Sequence, residues 1–181
     1  MSTPPKTLKR NEFGLLENPP IPYVFNEDGY VNWRKMIRPE FLVANKQRTQ
    51  ETDISKLEDK DLLILLGGIK ELAQIRGFTC VSYDVPEAGP NYAIASCYIN
   101  WIGNYETSNA DVSFQSLADA SPDNTQSFAR NYLAAIAENR AFVRCVRNFL
   151  KINIVGQEEI GVKVIDEPGS DNPMSPAAVL H

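Results

Sequence analysis

The sequence predicts an α+β fold: a three-stranded antiparallel β meander packed on a long amphipathic helix (a β-β-β-α core), with an additional helix on its N-terminal side. Three observations predict it. Apolar residues recur with helical spacing between 57 and 75 and end at a glycine. Three β-rich segments follow between 78 and 118, separated by turn chemistry. A final stretch to about Leu150 has helical periodicity with no internal glycine or proline after Pro122.

The 181 residues suit one domain with tails, and 43% hydrophobic with 23% charged residues excludes collagen-like, wholly disordered and membrane classes. Residues 1–29 read as an extended Pro-rich arm, 30–163 as the core domain and 164–181 as an acidic flexible tail. In the arm, Pro4, Pro5, Pro19, Pro20 and Pro22 each remove a backbone donor, and Tyr23-Val24-Phe25 offers a short strand or anchor. Asp28-Gly29 signals a turn, after which 31–41 forms a short helix carrying Trp33, Met36 and Ile37 inward, interrupted at Pro39. Met1 to Arg10 lacks an apolar signal core, and the longest apolar run, Leu62 to Leu66, is too short to span a bilayer. A cytoplasmic protein without a membrane partner is expected, in a bacterial host cytoplasm if the chain is phage-encoded. Ser175-Pro176 near the end resembles the cap of a helix that stops at once, as compatible with truncation as with a natural end.

Ser55-Lys56-Leu57-Glu58 has the form of a capping box, so the first main helix is expected from there through Leu57, Leu62, Leu65, Leu66, Ile69, Leu72 and Ile75 to Gly77. Gly67-Gly68 inside it costs about 1 kcal/mol per residue relative to alanine and marks a close contact or a kink. The strands are expected at 78–85, 92–102 and 111–118, with Pro86 to Pro90 and Gly103-Asn104 as turns. In the middle strand Ala93, Ala95, Cys97, Ile99 and Trp101 alternate with Ile94, Ser96, Tyr98 and Asn100. Ser121, Asp123 or Asn124 then caps the long helix.

Chemistry is sparse. The one histidine, His181, is the last residue, which excludes histidine-based triads, and Cys80, Cys97 and Cys145 have no CxxC spacing. No P-loop or dinucleotide fingerprint occurs, so no cofactor, metal or catalytic residue is assigned. Asp84, Glu87, Asp111 and Asp119 lie beside strands, where turn formation competes with a metal-dependent nuclease reading. Tyr30, Trp33, Tyr98, Trp101 and Tyr105 offer either stacking surfaces for bases or core packing.

Charge is the sharpest signal. The formal net of -5 argues against nucleic acid until it is divided. Residues 30–48 carry Arg34, Lys35, Arg38, Lys46 and Arg48 against Glu40, a net +4, and residues 130–151 carry Arg130, Arg140, Arg144, Arg147 and Lys151 against Glu138, again +4. At about 100° per residue, Arg144, Arg147 and Lys151 lie within about 40° of Arg140, and Arg130 at about 80°. All five therefore share one helical stripe, arginine-rich and poor in acids, as phosphate contact would favour; the competing reading is a solvated helix face.

The order helix, meander, long helix, with the run Ala137-Glu138-Asn139-Arg140-Ala141-Phe142-Val143-Arg144-Cys145-Val146-Arg147-Asn148-Phe149-Leu150, resembles the single-strand annealing proteins of homologous recombination, the group of the Rad-fifty-two annealase and the phage Erf-type recombinases. Their segment A-x-T-R-A-x-x-R-A-L-R-x-x-L is matched at Arg140, Arg144 and Arg147; Asn139 stands where threonine is common, and Cys145-Val146 replace Ala-Leu. The resemblance spans roughly residues 55–155. It implies ATP-independent binding of single-stranded DNA and annealing of complementary strands in recombination and repair. It implies a homo-oligomeric ring or open helix built by sheet extension, with backbones held inward in a basic groove and bases turned out. Arg144 and Arg147 correspond to phosphate contacts, and the 30–48 cations are candidates by charge. A single-strand-binding protein or an exonuclease is an expected further partner. The acidic tail, where many relatives are basic, speaks against duplex binding. The alternative is a non-catalytic protein-interaction or virion accessory module, and a metal-dependent nuclease is a third reading.

Overall fold

A computed structural model describes residues 8–161; the expected acidic tail and the first seven residues lie outside the described residues. In chain order the elements are β1 (Leu42–Ala44), β2 (Leu62–Ile64), α1 (Leu66–Arg76), β3 (Phe78–Ala88), β4 (Ala93–Trp101), β5 (Val112–Ala120), α2 (Leu133–Phe149) and β6 (Val155–Gly156), joined in part by 3-10 turns. The class is α+β, with two three-stranded sheets.

The larger sheet runs β3-β4-β5, antiparallel throughout, with Cys97 paired to Tyr83 on one side and to Ser116 on the other. Its core face is set by period-2 alternation in β4: Ala93, Ala95, Cys97, Ile99 and Trp101 are fully buried beneath α2. Small residues let α2 approach, since Ala137 and Ala141 are also fully buried. At the far end Trp101 stacks on Phe149 with centroids 4.6 Å apart. Fully burying a side chain the size of Ile99 contributes about 1.5–3 kcal/mol, so this face anchors the fold.

The second sheet was not foreseen. It runs β1-β2-β6, with β1 antiparallel and β6 parallel to β2. The apolar run 62–64, expected inside a helix, is instead the central strand of this sheet. Short apolar runs suit either state, and here the decision comes from two segments roughly 20 and 90 residues away in sequence. The Ser55 capping box is likewise corrected: Asp53 caps the 3-10 turn Ile54–Lys56 by accepting the Ser55 N–H, and a second turn, Asp59–Asp61, follows. The helix α1 therefore starts at Leu66, and Gly67-Gly68 falls in its first turn. The close contact expected there is real: a Cβ on Gly68 would lie 2.7 Å from the Phe41 Cβ. Gly77 closes the helix at φ +83, a backbone L side chains rarely adopt.

Two further boundaries move. β3 continues to Ala88 through the expected turn, accommodated by a register shift between Asp84 and Glu87. The long helix starts at Leu133, because Ser121 and Asn124 cap only the turn Pro122–Asn124 and a second 3-10 turn, Ser127–Tyr132, intervenes. The helix expected at 31–41 is two 3-10 turns, Trp33–Met36 and Pro39–Phe41, with Trp33, Met36 and Ile37 buried. The arm contributes Leu15 and Leu16 to the buried set, and the Tyr23 hydroxyl accepts the Leu16 N–H. No helix among the described residues is long and apolar enough to cross a membrane.

Candidate nucleic-acid interface

The five-cation stripe does not exist as a surface. Its ends leave the helix: Arg130 lies in the preceding 3-10 turn, and Lys151 lies beyond the cap. Lys151 sits at φ +56 in a Schellman-type closure, with its N–H bonded to the Asn148 carbonyl and the Ile152 N–H to the Arg147 carbonyl.

The three middle arginines are engaged by the protein's own acceptors, Arg140 and Arg147 largely buried and Arg144 half-exposed. Arg140 is 6% exposed and donates to the Glu158 carbonyl (2.6 Å), the Asp119 carbonyl (2.9 Å), and the Asn124 Oδ1 (2.8 Å) and carbonyl (2.6 Å). Burial lowers its pKa, with Asp119 and Glu158 opposing the shift. Arg144 and Arg147 converge on one carboxylate: Arg144 Nε is 3.2 Å from Glu159 Oε1 and Arg147 Nε is 2.7 Å from Oε2. Arg144 also donates to the Leu117 carbonyl, and Arg147 to that of Ile152. The Glu159 side chain is only 4% exposed. Burial alone would raise its pKa, but the Arg147 hydrogen bond and charge, the Gly156 N–H and Arg144 outweigh this, and it lies below the ordinary glutamate value. Acids are scarce along this helix in sequence because the neutralising acid returns from residue 159, after the chain has turned back through β6.

The 30–48 block is divided. Arg34 binds Asp59 (2.7 Å), Arg38 binds Glu71 and Glu40, and Arg48 approaches Asp61 at 3.9 Å, whereas Lys35 and Lys46 are exposed. The Glu71 hydrogen bond is the main reason the Arg38 pKa is raised.

The two blocks nevertheless meet. A cleft of about 580 Å³ opens between the 26–34 segment, the 106–107 turn and the C-terminal end of α2, lined by Arg34 from the first block and Lys151 from the second. A third cation, Arg76 from the last turn of α1, lines it at 3% exposure. Arg76 donates to the Ile102 carbonyl (2.6 Å) and to Asn104 Oδ1 (3.2 Å), both neutral, and lies 5.6 Å from the Phe149 ring centroid. Burial is the main cause of its lowered pKa. Lys151 Nζ lies 6.0 Å from the Tyr30 ring centroid, and among the described residues it has no ion pair. Two acids share the cleft. Glu106 accepts from the Val31 N–H (2.8 Å) and from Asn104, and Asp28 accepts the Tyr30 N–H (3.2 Å), so both build the wall.

Sequence reasoning missed Arg76, Glu106 and Asn32 of this cleft. The sequence signal for Arg76 is a cation in the last turn of α1, just before Gly77. Among the aromatic candidates Tyr30 is 49% exposed here, Tyr98 is exposed on the open face of the larger sheet, and Trp33 and Trp101 are core. Tyr105 donates to the Gly29 carbonyl, and burial with the neighbouring Glu106 raises its pKa to about 12.

Of the acidic candidates, Asp111 and Asp119 have structural work. Asp111 accepts the Gly103 N–H and Asp119 accepts from Asn124, and no group of three or more His, Cys, Asp or Glu converges among the described residues. Cys97 and Cys145 are buried, and a hydrogen bond to Cys145 followed by burial pushes the Cys97 thiol up, away from thiolate chemistry. Compared with known proteins, the chain matches no protein-family model, no curated protein and no solved structure.

Proposed function

We propose that this protein binds single-stranded DNA and anneals complementary strands without ATP, as a homo-oligomer. The observation that carries this reading is the cleft, where one cation from each basic block and the buried Arg76 face a common space. Support also comes from the sequential antiparallel sheet with α2 across one face, the β-β-β-α order of the annealing proteins that the 137–150 run resembles.

Phosphates binding at the cleft mouth release condensed counterions, which drives association at low salt. Two strands held with neutralised backbones meet at raised effective concentration, and pairing supplies about 1.4 kcal/mol per step. Oligomerisation uses the sheet edges: β3 and β5 are the outer strands, and Tyr83 and Val85 on β3 are 42% and 40% exposed. A fluorescent-oligonucleotide titration across a salt series, beside native mass and a nucleotide-free annealing assay, tests the reading. Expected are an oligomer, affinity falling steeply with salt, and annealing; no oligonucleotide binding at low salt overturns it.

A further inference from the structure

We propose that the cleft is a nucleotide pocket in which one base per protomer turns inward onto the Tyr30 ring while its phosphate lies between Lys151 and Arg34. The inference rests on the nucleic-acid reading and adds what the strand presents to the site.

The volume, about 580 Å³, lies within the range of small-molecule sites. Tyr30 is half exposed and, among the described residues, its ring stacks on no other aromatic ring; its near neighbour is the Lys151 ammonium, 6.0 Å from the centroid. An exposed aromatic face beside an unpaired cation is the pairing that single-strand sites use, the ring taking a base and the cation its phosphate. Arg34 spends Nε and Nη2 on Asp59 Oδ1, and among the described residues its Nη1 makes no hydrogen bond. Beneath them Arg76 is desolvated and, among the described residues, hydrogen-bonded only to neutral oxygens and without an ion pair. In a partly enclosed site its charge favours an anion more strongly than it would in water. The lining carries three cations and two carboxylates, both carboxylates already engaged by N–H donors, and Asp59 pairs with Arg34 from outside the lining. For the base edge, Asn32 Nδ2 donates to Asn26 Oδ1, which among the described residues leaves the Asn26 side-chain Nδ2 donors unused.

The arrangement selects single strands. A paired, stacked base cannot leave the duplex for Tyr30 without losing its partners, whereas an unpaired base can. Neighbouring bases stay turned out and available for pairing.

The test combines two variants and three ligands. Tyr30→Ala, at an exposed ring, is expected to weaken oligo-dT binding by about 5- to 150-fold with no change in the salt slope, because stacking releases no counterions. Tyr30→Phe should bind like the parent. An oligomer of abasic sites of equal length should bind the parent protein as weakly as oligo-dT binds Tyr30→Ala, and should not distinguish the two proteins. If oligo-dT binds the parent but Tyr30→Ala and the abasic oligomer behave as the parent and oligo-dT do, the base is not in the cleft and this inference falls while the annealing reading stands. Free dTMP, followed by intrinsic fluorescence, separates the remaining cases. Binding of dTMP without any oligonucleotide binding makes the cleft a mononucleotide site and overturns annealing; binding of neither overturns both.

Discussion

Two clusters of cations in this molecule have similar composition and opposite fates. On α2, Arg140, Arg144 and Arg147 spend their donors on five backbone carbonyls, the Asn124 side chain and the buried Glu159. At the cleft, Lys151 has no ion pair among the described residues, Arg34 is half used, and Arg76 is buried against neutral oxygens. The first cluster holds the 155–161 return and the end of β5 onto the helix; the second keeps charge available. A guanidinium that has already satisfied its donors has little left for a phosphate, so counting cations on a helical wheel measures neither stability nor binding until the partners are known.

Variants that separate stability from binding sharpen the comparison. The largest effect is expected from Arg140→Ala, which leaves the Asp119, Asn124 and Glu158 carbonyls without their donor. A loss of about 3–5 kcal/mol in denaturant unfolding follows, and a fully stable variant would mean the network is dispensable. Glu159→Gln is expected to cost about 2–3 kcal/mol, less than the roughly 3–5 of breaking a fully buried pair, because Arg144 is 38% exposed. In either variant that remains folded, the salt slope of oligonucleotide binding should match the parent; a marked drop would return the arginine stripe to the interface.

The same carboxylate gives a pH dependence. The folded-state pKa of Glu159 lies below its unfolded value, so its contribution is fully present above the unfolded pKa and is lost as pH falls through the folded one. Denaturation midpoints should therefore decline on acidification below about pH 4.5, and the decline should be shallower in Glu159→Gln. An identical acid limb in both proteins would show that other carboxylates set it.

The smallest effect, and the one of opposite sign, belongs to the cleft. Lys151→Gly relieves a left-handed backbone at a position where glycine is the usual residue, so unfolding should show a gain of up to about 1 kcal/mol. Removing one phosphate contact should reduce the salt slope by about 0.7. A variant both more stable and weaker in binding is what the contrast requires; unchanged binding would take Lys151 out of the interface.

Local signals in the sequence were legible because they need no distant partner. Asp28-Gly29 turns as its chemistry demands, with Gly29 at φ +82, Gly77 ends α1 at positive φ, and the five alternate residues of β4 are all buried. The Ser55 box failed because Asp53, two residues earlier, competes for the Ser55 N–H. The run 62–64 failed because its strand partners lie far along the chain.

By itself, then, the sequence determined the α+β class, the three adjacent β segments, the two helical segments and the segregation of charge, since periodicity, turn residues and charge counts are properties of neighbours. Only the tertiary structure decided which cations are available. Glu159 reaches Arg144 and Arg147 from 15 and 12 residues away, and Arg34, Arg76 and Lys151 come together from three separate stretches. The physical reason is that a charge acts through what lies within a few ångströms of it, and for these residues the fold, rather than the chain order, sets those neighbours.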